Sequence, residues 1–204
     1  MIHVRSLCTV LLAATLTTAA AVAQEGKGQP VMPPGQEEIM KKWQAFMTPG
    51  EGHKVLQAFS GNWNVVAKMW MDPAQPPTES TGTESSGWIL GGRYLQSSFK
   101  TTMMGMPMEG IGTMGYDNNR KKYFLTWIDN FGTGLATAEG TLDRTGTVLS
   151  LYGKMDEPTT GERDKPVKYV YRIDGPDKHV FEIHDLTIGE PHTKVMEAVY
   201  TRKK

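Results

Sequence analysis

Residues 91–134 read GGRYLQSSFKTTMMGMPMEGIGTMGYDNNRKKYFLTWIDNFGTG. Four turn signals punctuate this stretch, at 91–92, 105–107, 117–119 and 130–134. Each supplies Gly, Pro, Asn or Asp, which reach positive φ, preset a turn or bond their own backbone at little cost. The runs between them alternate in character and are joined too briefly for a crossover, so neighbours pair antiparallel. The same punctuation continues outward, at 72–77 on one side and at 143–146, 156–165, 174–178 and 189–192 on the other. Nine breaks therefore divide 62–202 into ten strand-like segments. Ten meandering strands without a cystine staple close best into a barrel, which removes exposed edges and encloses an interior. The reading is all-β: an antiparallel up-and-down barrel of about ten strands with a short N-terminal helical segment.

The chain ahead of the strands divides in three. Residues 1–23 form a signal peptide: Arg5 is the positive start, 7–16 the short apolar core, and Ala21-Val22-Ala23 the cleavage site. Threonines 9, 15, 17 and 18 interrupt that core, which falls short of a membrane span. The mature chain is expected to be periplasmic or secreted, with no transmembrane segment. Cleavage removes Cys8, the only cysteine, and with it any disulfide, thiol nucleophile or thiolate metal site. Residues 24–35, rich in Gly, Gln and Pro, are a flexible lead-in. Residues 36–204 make one domain, large enough for a core of its own. Within it Ile39, Trp43, Phe46 and Met47 recur at helical spacing, and 53–59 allows a second short helix. The apolar stripe of the first helix is expected to cover one end of the barrel, with a partner surface as the other reading. Basic and acidic residues number 22 each, so no basic stripe points to nucleic acid.

Alternation sorts the side chains into faces. Trp63, Val65, Ala67 and Met69 share one; so do Tyr123, Leu125, Trp127 and Asp129; so do Met196, Ala198, Tyr200 and Arg202. Several strands are apolar on both faces, which suits an apolar cavity, helices laid outside, or a homodimer interface.

An ordered series of short motifs resembles the DUF1579 family. It comprises Gly91-Gly92-Arg93-Tyr94-Leu95, Gly105-Met106-Pro107-Met108-Glu109-Gly110, Gly115-Tyr116-Asp117, and Lys121-Lys122-Tyr123 with Trp127-Ile128-Asp129. Thr48-Pro49-Gly50-Glu51 with Trp63 matches the family's beginning, and Met196-Glu197 with Tyr200-Thr201-Arg202 its ending. The resemblance covers roughly 36–203. It implies a lipocalin-like (calycin-type) barrel, often exported, and implies no activity. Met108 stands where family members commonly carry Phe.

The candidate ligand site follows from the faces. Trp88, Tyr94, Tyr116 and Trp127, with Met196, are the expected apolar lining, and Asp129, Tyr200 and Arg202 the polar residues. Arg202 and Tyr200 could hold a carboxylate; alternatively Arg202 pairs with an internal acid such as Asp129, or sits at a solvated chain end. Met103, Met104, Met106 and Met108 are soft ligands that could hold Cu(I), although alternation splits them and packing explains them more simply. A single histidine among His53, His179, His184 and His192 could ligate haem, but no attachment motif is present. No catalytic motif appears: His184 and Asp185 are turned apart by the strand, and no serine sits in a nucleophile elbow. The function expected is an exported carrier or sensor of a hydrophobic or amphiphilic small molecule. The alternative is a non-catalytic interaction protein whose barrel is filled by side chains.

Overall fold

Ten strands close on themselves in the computed structural model, which describes residues 35–72, 74–189 and 193–204. The expected signal peptide and nearly all of the lead-in lie outside the described residues. Helices α1 (Gln36–Met47) and α2 (Glu51–Val55) and a 3-10 turn (Leu56–Phe59) precede the strands. These are β1 (Gly61–Met69), β2 (Thr78–Ile89), β3 (Tyr94–Met103), β4 (Met106–Asp117), β5 (Lys122–Asp129), β6 (Ala136–Leu142), β7 (Val148–Glu157), β8 (Glu162–Ile173), β9 (Lys178–Asp185) and β10 (Lys194–Arg202). Each strand pairs antiparallel with the next, and β1 pairs with β10 to seal the barrel.

The β3–β4 and β7–β8 turns are tighter than the sequence suggests. Between β3 and β4 only Met104 and Gly105 lie outside the strands, at φ of 51° and 76°. Positive φ at both positions is the two-residue hairpin geometry that matches strand twist. Pro107 is therefore a strand residue opposite Thr102, not part of the turn. The long break read at 156–165 shrinks likewise: β7 runs to Glu157 and β8 begins at Glu162.

Register fixes the inward face. Trp63 sits opposite Glu84 on one side and Arg202 on the other, and Val65 sits opposite Tyr200. Around the barrel the inward phase continues through Leu95, Met114, Leu125, Ala138, Leu151 and Tyr169. One end is closed. Leu56 and Phe59, both buried, enter it from the 3-10 turn and pack on Leu95, Met114, Leu149 and Leu151. The indole N–H of Trp63 donates to the Phe59 carbonyl at 3.1 Å, tying that plug to β1.

Helix α1 does not cover the barrel as expected. No residue of it is buried, and Ile39, Met40, Trp43, Phe46 and Met47 are each about half exposed or more. Its C-terminal end is held by the β4–β5 turn, where the Asn118 Nδ2 reaches the carbonyls of Ala45, Phe46 and Thr48 at 2.8–3.1 Å. The plug is α2 and the 3-10 turn instead. Five residues are too few for an amphipathic stripe to declare itself, while α1, with the clear stripe, leaves it in solvent.

Candidate functional site: the barrel cavity

Behind the plug the barrel is hollow. A cavity of about 740 Å³ extends from Phe59, Leu95 and Met114 to Met71, Met104 and Gly105 at the opposite end. The interior is thus packed at one end and open at the other. Methionine dominates the walls: Met69, Met71, Met103, Met104, Met108, Met114, Met155 and Met196 all line it. Thioethers are flexible and polarizable, so such walls adapt to more than one shape of guest.

The sequence-derived candidates separate cleanly. Trp127, Asp129, Met196 and Tyr200 line the cavity together. The Trp127 ring lies over Gly110 and Gly112 of β4, where any Cβ would meet it, and its Nε1 donates to Asp129 Oδ2 at 2.7 Å. The other carboxylate oxygen of Asp129 accepts the amides of Phe131 and Gly132 at 2.9 and 3.1 Å. Asp129 is thereby committed to Trp127 and the β5–β6 turn.

Trp88 and Tyr116 share the inward face but belong to the plugged end. Trp88 donates to Gln57 at 2.8 Å, and Tyr116 packs against His53 and Tyr123. Tyr94 faces outward beside Phe124, their centroids 6.0 Å apart. Arg202 lies outside the cavity. Its guanidinium covers the Trp63 ring at 4.2 Å and bonds the Ser60 and Pro176 carbonyls and Asp177 at 2.7–3.0 Å. It neither meets Asp129 nor frays, because three backbone and side-chain acceptors converge on it.

The methionine string is divided, but not by alternation, because Met104 lies in the turn and Met106 sits opposite Met103. Met103, Met104 and Met108 reach the cavity, whereas Met106 is half exposed and does not. Among the described residues no cluster of His, Asp and Glu is placed to hold a metal ion. His179 is the one described histidine in the cavity wall, and it is enclosed by rings: Tyr200 stacks at 4.3 Å, with Trp63 and Phe59 edge-on at 4.5 and 5.1 Å. Its Nδ1 has no hydrogen-bond partner among the described residues. Burial, then the nearby Arg202 charge, pushes the imidazole down to about 3, so it stays neutral. His184 points away from Asp185 as expected: it contacts Glu182 and Thr193, while Asp185 pairs with Lys165 at 2.6 Å.

The polar residues of greatest interest were not legible as such. Glu84 lines the cavity and accepts a hydrogen bond from Ser86 Oγ at 2.6 Å. Burial pushes its carboxyl up to about 7, against the pull of that bond. Tyr169, Tyr171 and Tyr200 also line the cavity, and their hydroxyls have no hydrogen-bond partner among the described residues. Burial raises the phenols of all three, and the Glu84 charge adds to the rise at Tyr171 and Tyr200. A signal for Glu84 existed: Trp88 sets the inward phase of β2, and Glu84 shares it through Ser86.

Comparison with solved structures places the fold. A crystal structure of Rv2717c from M. tuberculosis aligns with a TM-score of 0.55 at 20% identity, covering 77% of this chain and all of that one. A redesigned β-barrel, b11L5F_LGL, aligns at a TM-score of 0.39 and 13% identity, over 74% of this chain and 95% of that one. No curated protein matches the sequence. The family model described as "Protein of unknown function (DUF1579)" matches residues 48–202, from the end of α1 to the last residue of β10. That span takes in the plug, every strand and the cavity they enclose, and the chain belongs to the DUF1579 family.

Proposed function

We propose that this protein carries or senses a hydrophobic or amphiphilic small molecule inside the barrel. The cavity is the observation that supports this reading. Its volume of about 740 Å³ lies within the range of about 300–1,000 Å³ typical of small-molecule sites. Its walls are largely apolar, and one end is stoppered by Leu56 and Phe59. Each buried methylene yields roughly 0.8 kcal/mol, so a chain of medium length offsets the cost of ordering it. We further propose that the protein acts after export, as residues 1–23 suggest.

Protein purified without detergent should show bound lipid-sized mass by native mass spectrometry, or take up a neutral apolar dye saturably. Ala67→Trp, which puts an indole into the cavity wall, should abolish uptake while the far-ultraviolet circular dichroism is kept. Absence of saturable uptake by the wild type would reject the carrier reading. The exposed face of α1 favours a second role, contact with a partner or another copy. Light scattering of the wild type and of Trp43→Ser tests it.

A further inference from the structure

The cavity has an electrostatic sign. Among the described residues its lining includes Glu79, Glu84 and Asp129 but no lysine or arginine. Glu79 pairs with Lys68 at 3.4 Å, and Asp129 accepts hydrogen bonds from its turn amides and Trp127. Glu84 alone has only a serine hydroxyl. Lys100, Lys203 and Lys204 line a second groove that also touches Glu84, but none of them pairs with its carboxylate; Lys100 pairs with Glu109 at 3.0 Å, and Arg202 is spent on Ser60, Pro176 and Asp177. Even a partly buried carboxylate without a cation is costly to keep. Aromatic rings and free hydroxyls share the cavity wall with it: Phe99 flanks it in register, and Tyr171 and Tyr200 lie close enough to feel its charge. An acid among aromatic rings is the recognition chemistry of an ammonium group.

We infer that the cavity selects amphiphilic amines, seating the cationic nitrogen at Glu84 beside Tyr171 and Tyr200 with the tail among the methionines. This rests on the reading that the cavity holds a ligand. It also reverses the polarity expected from Arg202 and Tyr200 in the sequence, since a fatty-acid carboxylate would meet a like charge.

The test displaces a neutral apolar dye from the full chain with dodecylamine, 1-dodecanol and dodecanoate at about pH 8. The wild type should bind the amine at least about tenfold more tightly than the alcohol, and the carboxylate more weakly than either. Glu84→Gln should lower amine affinity to that of the alcohol and leave the alcohol unchanged. Equal affinity of wild type for amine and alcohol, or an amine preference that survives in Glu84→Gln, overturns the inference and leaves the cavity reading standing. Failure of the wild type to bind dye or alcohol overturns both.

Should the variant not fold, a pH series on the wild type decides. Amine affinity should fall as Glu84 gains its proton between about pH 8 and 5.5, while alcohol affinity stays level. The groups facing Glu84 do not change charge in that interval: Tyr171 on β8 and Tyr200 on β10 stay protonated, and His179 on β9 stays neutral. Ser86 on its own strand, Trp63 on β1 and Phe99 on β3 do not titrate. A flat amine profile overturns the inference.

Discussion

Two residues of the cavity wall, the partly buried Glu84 and the buried His179, pull the stability of this barrel in opposite directions as pH changes. Glu84 is raised from 4.5 to about 7, so between those values the folded state keeps a proton that the unfolded chain has released. Its contribution is fully present below about pH 4.5 and is lost as pH rises through about 7. His179 is lowered from 6.5 to about 3, so the unfolded chain takes up a proton that the folded state refuses. Its contribution is present above about pH 6.5 and is lost as pH falls toward 3. Glu84→Gln should therefore gain up to about 3 kcal/mol over wild type at pH 8, with the gain fading by about pH 5. Urea denaturation at both values measures it, and a pH-independent difference would contradict the assignment. Neither residue was conspicuous in the sequence. Glu84 sits in a run of Ser, Thr and Gly that reads equally well as an outer wall, because alternation separates two faces without saying which is inside. The burial of His179 was not visible in the sequence because the rings that enclose it come from the 3-10 turn, β1 and β10, distant in the chain.

At the scale of the elements, short turns were readable because Gly, Asn, Asp and Pro mark them locally, whereas the plug was not. The stripe of α1 looked like a cover, yet α2 and Leu56–Phe59 fill the end of the barrel. Leu56→Ala should accordingly cost about 2–5 kcal/mol, read as a lowered denaturation midpoint. The β4–β5 pair shows why glycines fall inside strands. Gly110 and Gly112 leave room for the Trp127 ring, and Gly110→Ala should displace it at a cost of about 1–3 kcal/mol, with a change in tryptophan fluorescence. An unshifted spectrum and midpoint would remove that role. The methionines of the open end carry a different consequence. Met71 and Met104 are about three-quarters exposed and should be oxidised first by peroxide. Sulfoxides would make the rim polar and weaken uptake of an apolar dye, and a Met71→Leu, Met104→Leu double variant should resist the loss. Oxidised protein that binds as well as untreated protein would show that the rim is not on the ligand's path.

For the whole molecule, closure depends on the seam where the last strand returns to the first, and Arg202 sits at its end. Alternation correctly aligned Arg202 with Tyr200, but it gives only the direction of a side chain around the barrel axis. Height along the axis decides whether that direction meets cavity or solvent, and β10 carries Arg202 past the plugged end. There its guanidinium joins three parts of the chain: Ser60 ahead of β1, Pro176 and Asp177 in the β8–β9 turn, and the Trp63 ring. Two backbone bonds extend the same seam, from the Arg202 amide to Asp177 and from the Lys203 amide to Asn62, at 2.9 and 2.8 Å. A cation over an indole contributes about 0.5–2 kcal/mol, and hydrogen bonds to a charged group about 1.5–3 kcal/mol, both reduced here by partial exposure. Arg202→Ala should then destabilise the barrel by about 2–3 kcal/mol. The cavity walls do not include Arg202, so the affinity for an apolar dye, and for dodecanoate in particular, should be unchanged in protein that remains folded. Thermal melts with and without ligand separate the two effects. A lowered melting temperature in the free variant, with the same ligand-induced rise as wild type, is the expected pair of results. A selective loss of dodecanoate binding would instead return Arg202 to the site as its anchor.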